Sequence, residues 1–154
     1  MYEKEKVNFL SQEFVSALKK LKGDEKGNWG VLSPQGMIEH MTDSIDIASE
    51  KVKHPIQTPA EFLEKSKAFA MSDKEFKPGT KNSLMSETPA RLRNKTLEDA
   101  IHELENSIQN FINHFREDPM KTVENPFFGK LNFQEWLTLL CKHSKHHLKQ
   151  FNLI

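Results

Sequence analysis

The sequence predicts an all-α protein: four helices of comparable length around one core, with a long connection between the second and third that carries a short extra helix. Apolar residues recur at steps of three and four in separate stretches, strictly alternating in the first and third, the spacing of one helical face. No stretch shows the period-two alternation of a half-buried strand, and no internal repeat is present.

The first stripe is Val7, Leu10, Phe14, Ala17 and Leu21, which predicts an amphipathic helix over about residues 3–22. Gly23 and Gly27 end it. Ser33 then offers an N-cap and Pro34 a first helical position, where its missing N–H is not needed. Met37, Met41, Ile45, Ala48 and Val52 carry the second stripe up to His54-Pro55. Between about residues 53 and 95 stand four of the seven prolines and no long apolar period, so this is read as a connection with one short helix near Pro59 to Phe69. The third helix begins at Thr96, with its stripe at Leu97, Ile101, Leu104, Ile108, Phe111 and Phe115, and Asp118-Pro119 closes it. After the loop Asn125-Pro126-Phe127-Phe128-Gly129, Asn132 and Glu135 are spaced as a capping box and Leu131 can staple to Trp136. A fourth helix runs from there to the end.

With 154 residues, 36% hydrophobic and 29% charged, the chain is expected to be one globular domain over 1–154. Lys plus Arg balance Asp plus Glu at 22 each, and Arg91, Arg93 and Arg116 are the only arginines. Neither the positive field nor the planar forks that grip phosphate backbones are available, so no nucleic-acid partner is expected. The charged start, Met1-Tyr2-Glu3-Lys4-Glu5-Lys6, leads into no apolar core of a signal peptide, and no run of eighteen apolar residues occurs. No membrane partner and a cytoplasmic location are expected. The single cysteine, Cys141, excludes an intrachain disulfide and a multi-cysteine zinc site.

The chemistry is concentrated in the last helix. With about 100° per residue and Phe133 as origin, Leu137, Leu140, Trp136, Phe151, His147 and His143 fall within about 80° of it. Lys142, Lys145, His146 and Lys149 fall between about 120° and 220°, the side expected to face water. His143 and His147, four residues apart, can therefore turn their rings inward onto one ion. The plainer alternative is a pair of core histidines satisfied by backbone carbonyls. His40, between Met37, Met41 and Ser44 on the inward side of the second helix, supplies a third candidate with the same alternative reading. Three imidazoles from two helices would make an open three-ligand site suited to zinc, nickel or iron. His-Glu-x-x-His is absent, since Ser144 follows His143, so a zincin peptidase is unsupported. Cys141 is read as a small packed hydrophobe, and Glu39, about 100° around its helix from His40, as a solvated glutamate. Trp29, Trp136, Phe127 and Phe128 are read chiefly as packing residues that could also line a pocket.

Trp29-Gly30-Val31-Leu32-Ser33-Pro34 with His40-Met41, Pro126-Phe127-Phe128-Gly129-Lys130-Leu131, Glu135-Trp136, and His143 through Phe151 together carry a resemblance. The chain resembles the DinB-like (YfiT-like) superfamily of metal-dependent enzymes, particularly members ending in Pro-Phe-Phe-Gly, Trp, His-x-x-x-His and Gln-Phe. This resemblance implies an up-down-down-up four-helix bundle, often a homodimer, with a metal held by His40, His143 and His147. It also implies a small-molecule substrate and, in some relatives, a low-molecular-weight thiol activated for transfer or isomerisation. Others are described as hydrolases. Asn125 stands where a histidine is expected before Pro-Phe-Phe-Gly.

Besides a structural dimer whose histidines bind nothing, two function classes are open. One is a metal-dependent enzyme, a thiol-dependent transferase or a hydrolase, in which zinc or nickel makes a nucleophile from water or a thiol. The other is a non-catalytic bundle that keeps a metal or a small ligand between its helices.

Overall fold

The computed structural model of the chain describes residues 2–80 and 89–154. It is mostly helical, with one small hairpin: α1 (Glu3–Asn8), a π-helical turn (Phe9–Glu13), α2 (Phe14–Leu18), α3 (Pro34–Ala48), α4 (Ala60–Met71), α5 (Leu97–Arg116), β1 (Val123–Asn125), β2 (Gly129–Leu131) and α6 (Phe133–Gln150). The short extra helix is α4, within the expected connection; that connection's residues 81–88 lie outside the described residues.

α1, the π turn and α2 form one continuous rod that ends at Leu18, before the expected boundary. The wide turn holds an extra residue, which rotates the side chains of α2 around the axis relative to those of α1. Val7 and Ala17 are consequently only partly buried, whereas Leu10, Phe14, Val15 and Leu18 take the inner side.

The start signals work as their chemistry requires. Ser33 Oγ accepts from Gly36 N–H and Pro34 opens α3; Thr96 accepts from Asp99 N–H to open α5; Asn132 and Glu135 form a complete capping box on α6. α3 stops at Ala48, so Val52 lies outside it and is exposed. α6 closes with Asn152 in the left-handed region (φ 57°), Leu153 N–H on the Leu148 carbonyl and Asn152 N–H on that of Lys149, a Schellman ending.

The core is one cluster. α3 lies mainly along α5, and α6 touches α1, α2, α3 and α4. Met37, Ile38, Met41 and Ile45 of α3, Leu104 and Phe111 of α5, and Trp136 and Leu137 of α6 are almost fully buried within it. Phe133 closes the cluster, its ring centroid 5.3 Å from Phe111 and 5.5 Å from Phe115. One polar pair crosses this interior: Ser107 donates to Asp46 at 2.8 Å.

The antiparallel hairpin carries no strand signal in the sequence, because each strand is three residues long. Asn125 Oδ1 accepts from the Phe127 and Phe128 N–H groups at 2.9 and 3.1 Å, an Asx turn that reverses the chain. Gly129 completes it with φ 81° where an added Cβ would meet Leu63 at 3.2 Å. The Trp136 indole N–H donates to the Val123 carbonyl at 3.2 Å, fixing the hairpin to α6. Among the described residues no helix is long and apolar enough to cross a membrane.

Candidate metal centre

α6 and α3 bring the three expected histidines together. His143 Nε2 lies 2.9 Å from His147 Nε2 and 3.1 Å from His40 Nε2. One nitrogen from each ring falls within 4.8 Å of the other two, and among the described residues no carboxylate or thiol joins this group. The spacing of four on α6 aligns His143 and His147, and His40 reaches them across the α3–α6 contact. His147 is buried, whereas His40 and His143 are partly exposed.

The proton on His147 can be located from its neighbours. Gln150 Nε2 donates to the Trp29 carbonyl at 2.8 Å, so Gln150 Oε1 faces His147 Nδ1 at 2.7 Å and can only accept from it. Nδ1 therefore carries the hydrogen and Nε2 presents its lone pair to the cluster. The Gly27–Gly30 loop sets this arrangement: Asn28 N–H donates to the Gln150 carbonyl at 2.7 Å. Gly30 has φ 76°, and a Cβ there would press on Gln150 Nε2 at 3.0 Å. The sequence alone gives Gln150 no role, although its place three residues after His147 puts both on one side of α6.

Burial keeps these rings neutral. Desolvation pushes His40 down to about 4, aided by His146. Desolvation and His40 push His147 down to about 3. His143 is driven well below the usual imidazole value, by desolvation and then by His147 and His40. An imidazole nitrogen has a single in-plane bonding direction, so one proton on His143 Nε2 cannot serve both neighbours. Three neutral nitrogens this close together fit a cation instead. Ligands about 2.1 Å from a shared tetrahedral ion sit about 3.4 Å apart, close to the spacing found.

Other expectations change. His146 does not face water: its ring is half-buried 5.1 Å from Trp29, 5.2 Å from His147 and 6.1 Å from Phe76. Glu39 is not solvated but 4% exposed. It accepts from Arg93 N–H, Asn94 N–H, Asn94 Nδ2 and Gln35 Nε2 at 2.9–3.1 Å. Cys141 is a buried packing residue as expected, and burial pushes its thiol up to about 11. Trp136 is core, while Phe128 stands 6.3 Å from Phe76 near the cluster.

The family model of the DinB superfamily matches residues 10–151, nearly the whole chain. The chain belongs to the DinB superfamily. No curated protein and no solved structure matches it. The superfamily is metal-associated, and the three-histidine group is compatible with that property.

If Gln150 fixes the His147 tautomer, Gln150→Leu and Gly30→Ala should each weaken zinc binding about 10- to 100-fold. Competition with a chromophoric chelator measures this, and affinity equal to that of the native chain would remove the role assigned to Gln150.

Proposed function

We propose that the chain is a single-domain metal-dependent enzyme, residues 1–154, in which His40, His143 and His147 hold one divalent transition metal, zinc or nickel. The observation that carries this reading is the convergence of three neutral Nε2 atoms that one proton cannot satisfy. The donor set is all-nitrogen and two of its rings are partly exposed, features of sites that keep a position for a reactant. The bound ion would act as a Lewis acid that lowers the pKa of water or a thiol. Gln150 orients His147, and burial keeps all three imidazoles unprotonated at neutral pH. Glu39 is turned into its own hydrogen-bond network and is not offered as a base.

The finer reading is an up-down-down-up four-helix bundle that pairs as a cytoplasmic homodimer. It acts on a small molecule, with transfer using a low-molecular-weight thiol ranked ahead of hydrolysis. Titrating cobalt-substituted protein with small thiols tests this. A new thiolate-to-cobalt absorption is the expected result. Cobalt binding with no spectral response to any thiol would remove the transferase reading. If water also fails to exchange there, a non-catalytic binding module is left.

A further inference from the structure

What covers the cluster is a separate matter, and the inference about it rests on the metal reading. Beyond α4 the chain runs through residues 72–80 without helix or strand. Across 73–80 every residue is exposed except Phe76. The Phe76 ring lies 6.0 Å from His143 and 6.1 Å from His146, backed by Phe69 at 5.7 Å and Phe128 at 6.3 Å. It thus lies edge-on beside His143, the member of the cluster that touches both other histidines.

Side chains from one stripe of α6 hold this strap. Lys142 Nζ donates to the Phe69 and Lys74 carbonyls at 2.7 and 2.6 Å. His146 rests against the Phe76 ring, 6.1 Å between centroids, and Lys149 pairs with Glu75. Residues 142, 146 and 149 keep helical steps of four and three along the face expected to meet water. Polar tethers at an exposed surface are screened and hold weakly, so the strap can lift while the helices stay packed. The deeper rings of Trp136 and Phe111, by contrast, are locked in the core.

We propose that residues 72–80 form a gate over the three-histidine cluster, with Phe76 as its plug, and that a small ligand reaches the cluster when the tethers from α6 release. Phe76 then determines which ligands enter, while the three histidines determine what is bound.

The test is stopped-flow entry of imidazole into cobalt-substituted protein, followed in the visible spectrum. Phe76→Ala and Lys142→Met should each speed entry about tenfold, the factor expected when a charged donor's hydrogen bonds or an equivalent contact are lost. Cobalt stoichiometry and the resting spectrum should be unchanged, which a disrupted fold would not allow. Glu75→Gln should speed entry less, and with Lys142→Met it decides the matter if Phe76→Ala does not fold. Full cobalt binding with native entry rates in these variants would overturn the gate alone. Failure of the native chain to bind cobalt would overturn the metal reading and the gate together.

Discussion

Replacing His143 by alanine is expected to abolish metal binding, the largest single effect open to this chain. His143 is the only histidine with close Nε2 contacts to both others, so its loss leaves two nitrogens with a gap between them. The native chain should carry one zinc or nickel per chain by elemental analysis after tag-free purification. Zinc at about a thousand times its dissociation constant stabilises by about 4 kcal/mol. At roughly 2–4 °C per kcal/mol for a chain of this length, that raises the melting temperature by about 8–16 °C. In His143→Ala the zinc-dependent shift should disappear while helical circular dichroism persists; His40→Ala and His147→Ala should behave alike. The metal-free variant should lose little stability, since a partly exposed imidazole whose one proton cannot serve both neighbours is exchanged for a small apolar side chain. A zinc-dependent shift that survives in all three variants would place the ion elsewhere and end the three-histidine reading.

The helices and the site were legible for the same reason. Period and caps are local: the stripe of α5 from Leu97 to Phe115 and the cap at Ser33 need no knowledge of what they pack against. The spacing of His143 and His147 on the apolar side of α6 likewise fixes their direction before any partner is known. What escaped depends on contacts distant in sequence. The π turn shows no composition signal and is seen only through the side chains it rotates. The hairpin strands are too short for alternation to register. Most instructive is the polar face of α6, where the sequence places Lys142, His146 and Lys149 in water. Lys149 is exposed as expected, but a polar strap partly covers Lys142 and His146, and a lysine that binds backbone carbonyls looks in sequence like one that binds solvent.

Glu39 poses the same problem in a buried place and makes the second large prediction. Its helix direction, away from His40, is local and legible; its burial is not, because the donors that satisfy it arrive from residues 93 and 94 across the long connection. Arg93 adds to the joint, with its guanidinium on Asp43 at 3.0 Å and Glu103 at 2.7 Å. Glu39→Ala would leave the Arg93 and Asn94 backbone N–H groups without their acceptor and take one of two acceptors from each of the Gln35 and Asn94 side-chain amides, at a cost of about 3 kcal/mol. Burial alone would raise the Glu39 pKa, but the donors from Arg93, Gln35 and Asn94 outweigh it and hold the carboxyl below its ordinary value. A carboxylate with a lowered folded pKa binds fewer protons folded than unfolded, so its stabilisation is complete above the unfolded value and is lost as pH falls through the folded one. Urea unfolding of metal-free native and Glu39→Ala chains should therefore differ by about 3 kcal/mol at neutral pH, and the gap should narrow as the solution is acidified below the carboxylate range. At saturating zinc the variant should still bind one ion, because the Glu39 side chain is engaged away from the three histidines. A gap that stays constant through the carboxylate titration would mean that the charge of Glu39 contributes nothing and that only its packing holds the connection to α3.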